Sequence, residues 1–377
     1  MALRVETVDR GRAGRTRFWR AGLAPYAGDP HFVTPLLADC HTRWHPEHPL
    51  FEHAQTQHFV AVRDGRDVGR VAATVDAHHD AVHGGATGFF GWFECEQAQE
   101  TADALLGAAA AWLRERGRTE AIGPLGYTTN GISGLLVEAD EPGPPLLDMP
   151  HNPAWYPGLL ERAGFEGAKD LLAFWVPAQG EAAERLARIA DRALERGGYV
   201  LRAVRADRRG FAADVEHVLR IYNGAWERNW GFVPMTPHEI RHEARSLRQV
   251  LEPSMLLFAE HRGEPVAFSL TLPDVNQALA RIRGRLWPWS LVRFLLARRS
   301  IDRGRVLTLG VLPEHRRAGL EAALIVRTVR RARELGWSGG ECSWVLEDNH
   351  LMIAAIERVG GRPYRRYRLY RRSLGAP

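Results

Sequence analysis

Leu307-Thr308-Leu309-Gly310-Val311-Leu312-Pro313-Glu314-His315-Arg316-Arg317-Ala318-Gly319-Leu320 is the stretch on which the fold turns. Its apolar start reads as a strand, Pro313 and the arginines mark a tight turn, and a helix opens at once after Gly319. That helix places Leu320, Ala323, Leu324, Thr328, Ala332 and Leu335 inward. Successive backbone N–H groups in such a turn, backed by the positive end of a helix dipole, form an anion cradle suited to a pyrophosphate. Gly319 permits close approach of the backbone, and Arg316 or Arg317 can add charge-assisted contacts.

Further along come Glu347-Asp348-Asn349, Met352, Ile356 and Gly360-Gly361. Together with Val311-x-Pro313-x-x-Arg316-x-x-Gly319-Leu320, this segment resembles the signature of the GCN5-related N-acetyltransferase (GNAT) superfamily across residues 199 to 372. The resemblance implies a coenzyme A site made by Leu309, Val311, Arg316, Arg317, Ala318, Gly319, Leu320 and Asn349. It also implies two splayed parallel strands, Leu307 to Val311 and Glu341 to Leu346, with an acyl-pantetheine between them and direct acyl transfer from thioester to amine. Such transfer needs a base for the amine proton, donors for the oxyanion and an acid for the leaving thiolate.

Two positions depart from the superfamily pattern. Glu321 stands where Gly or Ala is usual, and Ile356 stands where the usual acid, a tyrosine, would be. The proton for the thiolate is therefore open between Tyr364, Tyr367, water and none. Glu341, at the head of its strand, is the expected base, with a surface glutamate as the alternative. Cys342 and Ser343 adjoin it, but no histidine offers triad logic, so a covalent intermediate is disfavoured. His350 reads as a helix-start residue.

The first half repeats the order of elements. Phe59 to Val62 and Val68 to Ala73 flank the turn Arg63-Asp64-Gly65-Arg66, a strand runs from Gly88 to Glu94, a helix from Thr101 to Arg116, and Leu171 to Val176 closes the half. Asn152, Trp155, Tyr156, Leu160 and Gly164-Phe165 resemble the second superfamily motif. The arginine-glycine turn is missing: Glu94-Cys95-Glu96 at the matching place is acidic and opposes a pyrophosphate. The fold class expected is α/β (α+β), two tandem GNAT-like domains each with a mixed central sheet flanked by helices. Residues 1–178 form a degenerate domain. Residues 179–377 form the acyl-CoA-binding one, with a basic apolar insertion at 277–304. A connecting helix, Glu181 to Arg196, carries the stripe Leu186, Ile189, Ala190, Ala193 and Leu194.

Acceptor-binding candidates come from the aromatic block Ile221 to Pro234, where the superfamily covers its acceptor: Asn223, Trp226, Asn229 and Trp230. Asn276 and Ser343 join them. Tyr222 and Trp226 also read as ordinary core. The insertion holds eight arginines between Arg281 and Arg305 against the single acid Asp302, interleaved with Leu286-Trp287-Pro288-Trp289 and Leu291 to Leu296. Rings and chains that bury while guanidiniums hold phosphates suit a segment lying on an anionic membrane surface; a partner-packing helix with a solvated face is the alternative. Over most of the chain the sequence resembles a family of bacterial tandem acyltransferase-fold proteins, through the aromatic-Asn block, Leu272-Pro273-Asp274-Val275-Asn276-Gln277 and Ser343 to Asn349. Ceramide synthases belong to that family. The resemblance implies transfer of a long acyl chain from acyl-CoA to a sphingoid-base amine.

Composition bounds the rest. The chain has 377 residues, 45% of them hydrophobic and 25% charged, which fits folded domains rather than disorder. Of 50 basic residues only Lys169 is a lysine, so the net charge of +5 is almost all guanidinium, and it argues for an anionic partner only where arginines cluster. No nucleic acid is expected. Three separated cysteines and no apolar run of signal-peptide or spanning length point to the cytoplasm, with peripheral contact on the inner membrane face. The histidines from His41 to His83 lack a ligand pattern, so no metal is expected and they read as solvated loop residues. Two other functions stay open on the residues alone: an acetyl-CoA-dependent acetyltransferase of a small or protein amine, and a non-enzymatic acyl-CoA or nucleic-acid binding module.

Overall fold

The computed structural model describes residues 3–227, 229–284 and 287–375. Arg228 of the aromatic block, and Arg285 and Leu286 of the insertion, lie outside the described residues. The chain divides into two units: Met1–Asp170 with Leu279–Phe294 and Arg366–Pro377, and Leu171–Ala278 with Leu295–Arg365.

In the first unit, β1 (Leu3–Val8) pairs antiparallel with β2 (Ala54–Arg63), which pairs with β3 (Arg66–Asp76), which pairs with β4 (Thr87–Cys95). The β2–β3 turn has Asp64 and Gly65 at φ 52° and 75°, the doubly left-handed geometry that Asp-Gly accommodates. α1 (Arg12–Ala21) and α2 (Leu37–Arg43) separate β1 from β2, and α3 (Ala77–His83) precedes β4. α4 (Gln99–Arg114) is the crossover that makes β5 (Glu120–Gly123) parallel to β4. Its face of Leu105, Leu106, Ala109 and Leu113 packs on Phe59, Val71 and Phe90. β6 (Leu135–Ala139) and α5 (Tyr156–Arg162) follow, and then β7 (Glu166–Pro177).

The second unit begins within β7. α6 (Glu181–Gly197), β8 (Tyr199–Ala203), α7 (Arg208–Trp226) and α8 (Pro237–Leu247) lead to the hairpin of β9 (Leu256–His261) and β10 (Glu264–Pro273). α8 starts with a capping box, Thr236 accepting from the Glu239 N–H and Glu239 accepting from the Thr236 N–H. The β9–β10 turn, with Arg262 and Gly263 at φ 54° and 83°, matches the turn of the first hairpin. After α9 (Asn276–Leu279) and α10 (Pro288–Arg298), β11 (Arg303–Val311) pairs antiparallel with β10. α11 (Leu320–Glu334) is the crossover to β12 (Gly339–Leu346), parallel to β11. α12 (His350–Arg358) and β13 (Arg362–Ser373) complete the chain.

The closing strands are not where two contiguous halves would put them. Residues 171–177 of β7 pair with β12 in the second unit, whereas residues 370–373 of β13 pair with β5 in the first. Each strand is 12 residues, about 40 Å at a strand's rise. Residues 279–294 of the insertion also belong with the first unit, so a single boundary after residue 178 does not describe the division.

The helix faces follow the sequence stripes with two corrections. α11 buries Leu320, Ala323, Leu324, Thr328 and Ala332 as expected, but Leu335 caps its end 37% exposed. On α6 the buried face is Ala183, Ala187 and Ala190, and Ile189 is 64% exposed, because the stripe is rotated toward the alanines. The histidines are not all solvated loop residues. His58 is buried in β2, hydrogen-bonded to the Tyr127 hydroxyl at 2.6 Å, and its pKa is pushed down to about 3 by burial and by Arg10 and Arg70. His53 pairs with Asp76 at 2.7 Å.

Candidate active site

β11 and β12 pair only from Arg303↔Gly339 to Val306↔Cys342, although both strands continue, to Val311 and Leu346. Beyond Val306 they part, as the expected pair of splayed parallel strands. From Val306 to Val311 the open stretch is about 17 Å.

At the wide end lies the turn. Arg317 and Gly319 have φ 76° and 77°, and Leu320, fully buried, begins α11 directly. The N–H groups of that first helical turn have no partners within the helix, so they face the turn together with the positive end of the dipole. Gly319 is the N-cap, with no side chain to compete for those donors. Arg316 and Arg317 are exposed, and Arg316 donates from Nη2 to the Ala225 carbonyl at 2.6 Å. That bond ties the turn to the end of α7. A pyrophosphate fits the donor set.

Leu309 and Val311 face the core of Leu257, Ala267, Leu320 and Leu324, so they hold the turn from below. Trp226 lies over the β11 backbone: a Cβ on Gly310 would fall 2.7 Å from its ring. Asn349 is the N-cap of α12, its Oδ1 accepting from the Met352 N–H at 3.2 Å.

At the narrow end sits a buried polar cluster. Glu341, fully buried, accepts from the Ser343 hydroxyl at 2.6 Å through Oε1 and from the Tyr364 hydroxyl through Oε2. Arg305, 1% exposed, donates from Nε to Ser343 Oγ at 2.9 Å and stands 3.7 Å from Glu341 Oε1. Its guanidinium lies 4.6 Å from the centroid of the Trp344 ring. Arg305 and Glu341 are opposite each other in the ladder. A shift in the β12–β7 register between Cys342 and Val345 sets two residues of β12 against one of β7, a bulge that re-aims Ser343 toward the carboxylate. Glu341 is therefore no surface glutamate. Buried beside a cation and two hydroxyls, it can exchange a proton within the splay.

The other expected residues divide. Asn223 clamps the backbone of Met235, donating to its carbonyl and accepting from its N–H, both at 3.0 Å. Its carboxamide is engaged in holding the loop after α7, so it positions that loop rather than presenting an amide to a substrate. Asn229 is half-buried in the same loop, its backbone bridging Trp226 and Phe232, and Trp230 is 38% exposed beside it. Asn276 starts α9 by Asp274, beyond the Arg303 end of β11 and so at the opposite end of that strand from the anion turn. Arg305 is the residue that sequence reasoning missed. The signal was an arginine at an inward position just ahead of the apolar run Val306-Leu307 of its strand.

The equivalent wedge in the first unit is closed by the chain itself. β4 and β5 pair only from Thr87↔Glu120 to Phe89↔Ile122, but Leu125 then donates to the Phe90 carbonyl. A Cβ on Gly91 would lie 1.6 Å from the Leu125 oxygen. Glu94 is internal: its carboxylate accepts from the Tyr26 and Tyr156 hydroxyls at 2.7 and 2.9 Å, and burial pushes its pKa up to about 7. Glu96 pairs with Arg63. No cradle remains there.

Sheet order, crossover helix, splayed pair and anion turn together define a GNAT-fold protein with two tandem domains, the first degenerate. Solved structures agree on the fold. A tandem GNAT protein from the clavulanic acid biosynthesis pathway superposes with a TM-score of 0.58 over 100% of both chains at 15% identity. A GCN5-related N-acetyltransferase from Sphaerobacter thermophilus gives 0.55 over 100% and 96% at 13%. The chain belongs to the family of the bacterial ceramide synthase of Caulobacter vibrioides, with which it is 35% identical over 359 residues, 92% of each chain. It is likewise 32% identical to protein YghO of Escherichia coli over 358 residues, 93% of this chain and 90% of the relative. No family model matches the chain.

Proposed function

We propose that the protein is an acyl-CoA-dependent N-acyltransferase that moves a long acyl chain from the CoA thioester to the amine of a sphingoid base, giving a ceramide. The observation that carries acyl transfer is the buried Glu341 at the vertex of the splay whose wide end is the anion turn. In this reading the turn of Arg316, Arg317, Ala318 and Gly319 binds the pyrophosphate and the pantetheine arm lies along Leu309 to Val311. The amine nitrogen attacks the thioester carbon, and its proton passes to Glu341. As the C–S bond breaks, Tyr364 gives its hydroxyl proton to the sulfur and regains one from Glu341, to which it is hydrogen-bonded. One C–N bond forms, one C–S bond breaks, and one proton moves from nitrogen to sulfur. Arg305, 3.7 Å from Oε1, and the Ser343 hydroxyl hold the carboxylate in place.

Two observations favour a lipid amine. The named relative of the same family is a ceramide synthase. The insertion also exposes Trp287 (70%), Trp289 (83%), Leu291, Val292, Leu295 and Leu296 beside its arginines, as a surface resting among headgroups requires. No helix among the described residues is long and apolar enough to cross a membrane.

The test is mass spectrometry of products from palmitoyl-CoA or acetyl-CoA with sphinganine in anionic vesicles or with soluble amines. N-palmitoyl-sphinganine is expected. Turnover of acetyl-CoA with soluble amines and no lipid product would replace this reading with the acetyltransferase one.

A further inference from the structure

Between Arg10 and Gly28 the chain carries five arginines, Arg10, Arg12, Arg15, Arg17 and Arg20, and no acid. Four of them stand on α1, where Arg12, Ala13, Thr16, Arg17 and Arg20 line an open groove of about 610 Å³ together with Asp67. Arg17 is neutralised: it donates to Asp67 from Nε and Nη2, at 3.0 and 2.7 Å, and pairs with Glu6 at 2.8 Å. Arg12 and Arg20 are exposed, and among the described residues no carboxylate pairs with either. Arg15 is only 9% exposed, yet its Nε has no hydrogen-bond partner and no carboxylate of the described residues pairs with it. Asp9, the nearest acid in sequence, is engaged with the Gly11 N–H at 2.6 Å. Arg12 and Arg15 both act on His41 of α2. Its Nε2 lies 3.0 Å from the Thr16 hydroxyl, and burial, with the charges of Arg15 and Arg12, holds its pKa below the ordinary value. A guanidinium withdrawn from water without a counter-charge is costly, so the cluster calls for an anion.

We propose that Arg12, Arg15 and Arg20, with the Thr16 hydroxyl, bind the phosphate of an anionic lipid headgroup. The guanidinium fork matches phosphate oxygens. The lipid source follows from what adjoins the groove. Residues 279–294 of the insertion belong to the same unit as α1. A Cβ on Gly284 would lie 2.6 Å from the Thr34 side chain and 3.2 Å from the Pro35 oxygen, and α2, about 10 Å long, begins at Leu37 and carries His41 to Thr16. One short helix thus joins the segment of the exposed Trp287 and Trp289 rings to the arginines. The choice of a lipid rests on the membrane contact proposed above for the insertion; the need for an anion does not.

Co-sedimentation with vesicles of phosphatidylcholine alone, and of phosphatidylcholine with phosphatidylglycerol, tests this. Arg12→Ala with Arg20→Ala, and separately Arg15→Gln, should weaken binding to the anionic vesicles by about fivefold per arginine, an effect that shrinks as salt rises, and leave binding to neutral vesicles unchanged. If Arg15→Gln does not fold, the exposed pair decides. Trp287→Ala with Trp289→Ala should weaken binding to both kinds of vesicle, which separates failure of the insertion's contact from failure of this site. Equal binding of the arginine variants and wild type to anionic vesicles, a wild type indifferent to phosphatidylglycerol, or a loss confined to inorganic phosphate or to RNA would overturn the proposal. Formation of N-palmitoyl-sphinganine in neutral detergent micelles should be the same in wild type and arginine variants, so its absence from all of them would sink the transfer reading without touching this one.

Discussion

Arg305 and Glu341 face each other across one rung of the parallel β11–β12 ladder, both buried, with the Ser343 hydroxyl bonded to each. A buried ion pair of this kind is costly to break from one side, because the survivor is left charged without compensation. Arg305→Met should therefore destabilise the protein by about 3–5 kcal/mol in chemical denaturation. Adding Glu341→Leu should restore part of that loss. A folded Arg305→Met protein of wild-type stability would show that the pair does not hold the strands together.

The anion turn separates binding from chemistry. A Cβ at Gly319 has room, its nearest neighbour being Ala193 Cβ at 3.8 Å, so strain there comes from φ 77° and is about 1–2 kcal/mol. Gly319→Glu adds a negative charge where phosphate oxygens belong. The KM for acyl-CoA should rise strongly, with kcat at saturation less affected, in steady-state kinetics. Arg317→Ala should raise KM more mildly, by an amount that shrinks as salt increases.

The exposed face of the insertion should read out on lipid. Trp287→Ala with Trp289→Ala should weaken co-sedimentation with anionic vesicles, and because both rings are exposed, thermal stability should change by no more than about 0.5 kcal/mol. Equal binding by mutant and wild type would assign the face to another role.

Glu94 gives the first unit a pH dependence. Its folded pKa, about 7, lies above the ordinary value of 4.5, so the native state holds a proton that the unfolded chain releases. That contribution is complete below pH 4.5 and is lost as pH rises through 7. The gap between those values corresponds to about 3 kcal/mol at most. Glu94→Gln should flatten the fall in melting temperature between these limits.

What the sequence disclosed was local. The Asp64-Gly65 turn, the Pro313 to Gly319 turn and the crossover helices are written in contiguous residues, and the structure has each of them. The exchange of β7 and β13 was not legible, since alternation along a strand shows which face is buried but not which sheet it completes. Asn223 looked like a ligand because its partner, Met235, is reached only when the loop folds back. Arg305 was passed over for a similar reason: its meaning lies in a carboxylate 36 positions away, brought opposite by register alone.

The most direct measurement is the rate of N-palmitoyl-sphinganine formation by wild type and Glu341→Gln at saturating palmitoyl-CoA, with S-alkyl-CoA binding measured on both. The expected result is a loss of about 10²–10⁴ in kcat with acyl-CoA affinity retained. A Glu341→Gln protein that forms product at the wild-type rate would contradict the assignment of Glu341 as the base.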